Sequence, residues 1–359
     1  MKILILLLPF LFTTISFGKD KTNLENSDNK WKKLSVTTGM KLDYVDSTVL
    51  KARIFGLNLG LDLEHKLTDN ADFFLSLTGI FETGSNEVIS TFTEYEPKES
   101  LNLEEGGVRY RPFDSYQLEL GALNQRVYES PLLVAKVPFA GLKQTFNFGS
   151  FSFSAQQAIP SNNHLAKRIG TIETGTPSFR IETLSLKLGK KHTFKMDISH
   201  FSFRDLSSGI SEKSKVLGNS VEGNGAGSRF TYGFDGYNLA FNTSFILTGY
   251  QLELGGHYLY NEKAPEKRNR GHLVFLALKG NQFGASIEQF RNESDSSPAF
   301  YNNKNYGHNN MSGQALILSS FGKEYLGQIR IAQFSPIKTS ALQDQTNLLS
   351  FQISKTMDF

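Results

Sequence analysis

Seven histidines, His65, His164, His192, His200, His257, His272 and His308, are the residues on which this chain could build acid–base catalysis or a metal centre. They are scattered, and none stands in a catalytic or metal-ligand spacing. The cysteine count is 0, which excludes thiolate nucleophiles, thiolate metal sites and a disulfide framework. The glycine-rich run 218–227 lacks the strand-to-helix setting of a phosphate loop. These residue types point away from an enzyme and call for no cofactor or metal. What recurs instead is polarity at every second position. Lys41 and Asp43, Asp62 and Glu64, Arg109 and Arg111, Gln117 and Glu119, Arg180 and Glu182, Gln251 and Glu253, and Gln328 and Arg330 each flank an intervening residue that is usually apolar. Such pairs select solutes by charge when they line an aqueous passage.

A period of two belongs to β-strands with one apolar and one polar side. Sixteen segments carry it, beginning with Lys33–Asp46 and Leu50–Lys66 and ending with Asn347–Phe359. The connections alternate. Short turns rich in Gly, Asn, Asp, Ser or Lys, such as Gly149-Ser150 and Thr248-Gly249, follow the even-numbered segments. Long loops follow most odd-numbered ones, including 84–100, 127–140, 205–228 and 292–313, the hairpin at Ser47-Thr48-Val49 being the exception. That asymmetry predicts an all-β, antiparallel, up-and-down transmembrane barrel of about 16 strands, with periplasmic turns and extracellular loops. With apolar sides on lipid, the candidate pore-lining residues are Lys41, Asp62, Glu104, Arg109, Arg111, Glu119, Arg180, Glu253 and Arg330. The four arginines could form a basic wall opposite Glu104, Glu119 and Glu253. A change of face at Gly106-Gly107 predicts a bulge, with Val108 and Tyr110 outward and Arg109 and Arg111 inward. Charges of both signs exclude a dry interior, and sixteen strands are too wide for side chains alone to fill, so water is expected inside. His200, beside Met196 and Ile198 on the apolar side, reads as facing lipid or an interface. The loops 205–228 and 294–310, rich in Gly, Ser and Asn, read as exposed and mobile.

The chain starts with Lys2, an apolar stretch from Ile3 to Phe17, and small residues at Ser16 and Gly18, which predicts a signal peptide over 1–18. Residues 19–31 read as a flexible periplasmic lead, with Trp31 as an interface anchor, and 32–359 as the barrel. Removal of 18 residues would leave 341 with a net charge of +2, because Lys2 is the only charge lost from +3. So small a charge offers nothing to nucleic acid.

In the last segment, Leu349, Phe351, Ile353, Met357 and Phe359 share one side, interrupted only by Lys355. This pattern and the final Phe359 resemble the terminal strand of Gram-negative outer-membrane barrels. The resemblance implies that Phe351, Met357 and Phe359 form an assembly signal for the barrel-assembly machinery. Taken with the strand and loop pattern, the chain is similar to a general diffusion porin over most of its length. That similarity implies an outer-membrane pore for small hydrophilic solutes, surrounded by outer-membrane lipid, with a homotrimer as a possible assembly. It also implies one long loop folded into the channel, for which 127–140 is the candidate, with Ser130, Lys136 and Phe139. The acidic motif of well-known constriction loops is absent there. A channel specific for a sugar, peptide or phosphate, a receptor or adhesin barrel, and a barrel enzyme are the alternatives.

Overall fold

The computed structural model describes residues 31–88, 95–125, 130–135, 137–160 and 175–359. The expected signal peptide (1–18), most of the lead (19–30), His164 and Lys136 lie outside the described residues. Sixteen strands form one closed antiparallel barrel. They are β1 (Trp31–Asp46), β2 (Leu50–Thr68), β3 (Ala71–Val88), β4 (Glu99–Phe113), β5 (Tyr116–Asn124), β6 (Pro138–Phe148), β7 (Phe151–Ile159) and β8 (Ser178–Leu188). The second half comprises β9 (Thr193–Arg204), β10 (Phe234–Leu247), β11 (Tyr250–Asn261), β12 (Arg270–Lys279), β13 (Phe283–Asn292), β14 (Met311–Phe321), β15 (Tyr325–Pro336) and β16 (Thr346–Asp358). Every strand pairs with its sequence neighbours, and β1 closes on β16 from Ser35↔Asp358 to Asp46↔Asn347. Closure leaves no edge, so the barrel satisfies its backbone groups without help from solvent. Among the described residues no helix is long and apolar enough to cross a membrane.

The turns at one end are short because their residues permit it. Gly149 and Gly249 occupy two-residue turns at φ 64° and 79°, a backbone conformation that favours glycine. Near this end the outward side carries aromatics. Tyr116 lies 5.6 Å from Phe113 and 4.8 Å from Phe146, ring to ring. Above them the outward side is aliphatic, with Leu120, Leu184, Ile198, Leu276, Ile287, Ile331 and Leu349 all exposed. An apolar belt edged by aromatics is the exterior that a bilayer requires.

The β3–β4 register shifts between Ser76 and Leu77, whose partners are Glu105 and Leu103, so Glu104 is the extra residue. The irregularity thus falls at Glu104, just before Gly106-Gly107. The glycines serve a different purpose. Gly107 pairs with Gly121, which has φ 145°, and a Cβ on Gly121 would come within 2.6 Å of the Gly107 Cα. Only glycine lets these two backbones approach so closely.

The interior is divided. Towards the long-loop end the inward residues are apolar and fully buried. One cluster joins Phe139, Phe179, Phe201, Phe203, Phe234 and Leu259 to Leu133 and Tyr301. The other joins Val45, Ile54, Phe290, Phe334 and Leu348 to Leu132 and Tyr306. Leu132 and Leu133 come from the β5–β6 loop, and Tyr301 and Tyr306 from the β13–β14 loop, so both loops fold into the barrel. Burying each aromatic contributes about 1.5–3 kcal/mol, but only where something covers it. The two loops, with Tyr95 of the β3–β4 loop and Ile210 of the β9–β10 loop, are that cover.

Candidate functional site

Towards the short-turn end, the inward side chains are charged and bonded in pairs across neighbouring strands. On β4, Arg109 Nε donates to Glu119 Oε1 at 2.9 Å and its Nη1 to Glu64 Oε1 at 3.2 Å. The same guanidinium lies over the Phe74 ring, 5.0 Å from its centroid. One step nearer the turns, Arg111 donates to Gln117 Oε1 at 2.9 Å and to Asp72 Oδ2 at 2.8 Å, and Lys32 reaches the other Asp72 oxygen at 2.5 Å. Lys143 stands 4.0 Å from Glu119. Asp62, inward on β2, accepts from Ser35 Oγ at 3.5 Å and lies 3.8 Å from Lys33. Glu253 on β11 pairs with Lys279 on β12. Lys41 pairs with Asp43 two residues along β1, and Asp43 accepts from Ser350 Oγ at 2.6 Å.

Two sequence expectations need correction. Arg180 does not line the lumen. On β8 it is Phe179, Ile181 and Thr183 that point inward and are buried, so the strand's alternation turns Arg180 and Glu182 outward. Arg180 is 69 % exposed and lies 2.5 Å from Glu182, whose other oxygen is 3.2 Å from His200 Nδ1. His200 Nε2 in turn is 3.1 Å from Asp235 on β10. The outward face therefore carries a polar cluster, and His200 sits in it beside Tyr237 at 5.4 Å. Nor do the arginines form a basic wall facing an acidic one. Each inward arginine has its carboxylate within bonding distance, as unpaired charges in a half-buried wall would be too costly.

Arg330 on β15 is nearly buried and donates through Nη1 to Glu288 Oε2 at 2.8 Å, also buried. Its Nη2 meets the Asn305 carbonyl at 3.3 Å, and Tyr306 stacks below at 4.9 Å. Burial beside Glu288 pushes the Tyr306 hydroxyl well above the ordinary tyrosine range, so it stays protonated. Of the β5–β6 loop candidates, Ser130 is buried, and its Oγ accepts from Asn238 Nδ2 on β10 at 2.8 Å. Phe139 is fully buried at the start of β6, 5.5 Å from Phe179 and 5.0 Å from Tyr301. Phe351 and Met357 project from the outward side of β16, and the Phe359 N–H donates to the Leu34 carbonyl at 2.9 Å.

Of the two loops read from composition as exposed and mobile, 294–310 is largely buried, and 205–228 is buried over 207–211 while 222–224 stay exposed. Across 292–310 the small polar side chains bond one another. Asn309 Nδ2 donates to the carbonyls of Ser294 and Ser297 at 2.9 and 2.6 Å, and Asn292 Nδ2 to Asn309 Oδ1 at 2.6 Å. The β9–β10 loop contains α1 (Ser208–Val216), whose Ile210 is fully buried. Beyond it Asn219 donates to Ser294 and Ser297 carbonyls at 2.7 and 3.0 Å, and Ser220 caps Asp295 with both its N–H and its hydroxyl. Short polar side chains stand in for backbone partners here, which is how an irregular segment can be buried at all. These loop residues, with Lys304 among them, escape sequence reading because the same composition also suits solvent-exposed loops.

No family model and no curated protein matches the sequence. Solved structures do match its fold. OprB from Pseudomonas putida, at high pH, superposes with a TM-score of 0.63 at 12 % identity, over 92 % of this chain and 95 % of that one. OmpF from Salmonella typhi, in complex with daunomycin, superposes with a TM-score of 0.54 at 10 % identity, over 92 % and 99 %. Both are outer-membrane porins. The chain has the porin fold, a closed barrel of sixteen antiparallel strands.

Proposed function

We propose that this protein is an outer-membrane channel through which small hydrophilic solutes diffuse passively. The observation that carries the reading is the two-sided wall. Its outward side is an apolar, aromatic-edged belt, while its inward side towards the short turns is lined by charged pairs that need water nearby. On this reading the short turns are periplasmic, and the inward β5–β6 and β13–β14 loops narrow the passage. Lys41, Asp62, Arg109, Arg111, Glu119 and Glu253 would then set the field that a solute meets.

Planar-bilayer recording with the purified protein tests it. Ohmic single-channel steps in potassium chloride are expected, and reversal potentials in a salt gradient give the ion preference. A barrel that inserts but passes no current would sink the proposal.

A further inference from the structure

The β8–β9 turn, Gly189-Lys190-Lys191-His192, concentrates positive charge at the short-turn end of the barrel. Lys190 and Lys191 are both exposed, and neither has an ion-pair partner among the described residues. Their surroundings offer none. β6 and β7 contain no acidic residue, the turn between them is Gly149-Ser150, and the β10–β11 turn is Thr248-Gly249. The carboxylates of β8, β9 and β10 are Glu182, Asp197 and Asp235. Glu182 and Asp235 lie towards the long-loop ends of their strands, and Asp197 is buried on the inward side. The β14–β15 turn also carries a lysine, Lys323, but Glu324 follows it directly.

His192 supplies the second observation. Its Nδ1 accepts the Ile246 N–H of β10 at 3.3 Å, which leaves the proton on Nε2 as a donor. Its ring lies 6.1 Å from the ring of Phe245, an outward residue, so the turn leans towards the membrane side of the wall. The outward surface around it is apolar, with Phe148, Phe151, Leu188, Phe245 and Tyr250 all 44–63 % exposed. Depth follows from chain length. Lys190 stands two residues beyond Leu188 and reaches no more than about 7 Å past it. The polar layer on each side of the hydrocarbon is roughly 5–8 Å deep. With Leu188 in the apolar belt, the backbone of the turn lies within the headgroup layer, and headgroups are what its lysines meet first.

We propose that the β8–β9 turn binds an anionic phospholipid of the leaflet it faces. The headgroup phosphate lies against Lys190, Lys191 and the Nε2–H of His192, and the acyl chains lie against Leu188, Phe245 and Tyr250. A zwitterionic headgroup brings its own cation to the lysines, so the turn discriminates by net charge. The proposal rests on the membrane placement of the barrel and not on conduction.

Native mass spectrometry on the full-length protein in detergent tests it, with phosphatidylglycerol and phosphatidylcholine of the same acyl chains as probes. Phosphatidylglycerol should bind more tightly, and Lys190→Gln and Lys191→Gln should each weaken it about fivefold, the scale of one lysine at an anionic surface. Phosphatidylcholine affinity should stay unchanged in both variants. Lys323→Gln, in the turn that carries its own carboxylate, should keep the preference of the wild type. Equal affinity for the two lipids, a preference that survives in the Lys190→Gln/Lys191→Gln double variant, or an equal loss in Lys323→Gln overturns the proposal. Retention on isolated peptidoglycan that depends on Lys190 and Lys191, without a preference between the lipids, assigns the turn to the wall polymer and overturns it as well.

Discussion

Arg330 shows how much can rest on one side chain in a barrel wall. It closes an ion pair with Glu288 deep between β13 and β15 and supports the Asn305 carbonyl of the inward loop. Arg330→Met leaves the Glu288 carboxylate buried without a counter-charge, a loss of about 3–5 kcal/mol for a pair broken from one side. The temperature at which the folded form converts to the unfolded band in heat-modifiability electrophoresis should fall accordingly. Arg180 makes the opposite case. It faces outward and is largely exposed, so Arg180→Gln should leave the reversal potential in a salt gradient unchanged. Lys143→Gln removes an inward positive charge beside Glu119 and should shift that potential towards cation preference. Equal shifts for the two would contradict the inward and outward assignment.

At the scale of the elements, β4 and β5 approach each other closely at Gly107 and Gly121. Gly121→Val places a branched side chain where the Gly106 carbonyl and the Gly107 Cα already stand, at a φ of 145° that valine avoids. Less folded barrel should be recovered, and circular dichroism should show the loss of strand signal. The β5–β6 loop crosses the interior because Leu132 and Leu133 bury themselves in different apolar clusters. Deleting residues 130–135 removes that bridge, and single-channel conductance should rise if the loop narrows the passage. An unchanged conductance would mean that the loop only packs the wall. The period-two pattern made the strands legible, together with the outward position of Val108 and Tyr110 and the inward one of Arg109 and Arg111. The paths of the long loops were not legible. Asn, Ser and Gly are the residues of solvated loops, and they are equally the residues that satisfy a buried irregular backbone.

For the whole molecule, closure and the alternation of short and long connections define two ends. The reading of the long-loop end as extracellular has a direct test, because the native chain contains 0 cysteines. Ser340→Cys, in the β15–β16 loop, should react with an impermeant maleimide on intact cells. Lys190→Cys, in the β8–β9 turn, should react only after the outer membrane is opened. The reverse pattern would invert the orientation and with it the side from which solute first meets the inward loops.

The sequence by itself determined the strands, their number and the outward belt. These depend on local periodicity and turn residues, which a single chain displays directly. Phe201, Phe203 and Phe290 lie on the inward side, and an alternating pattern does not show what lies against them. Only the tertiary structure decided that they and their neighbours form a covered core, and that Arg180 points away from the lumen. The reason is one of distance. An alternating pattern is blind to which of its two sides closes inward until all sixteen strands curl round, and a loop's burial depends on walls that lie far from it in the chain.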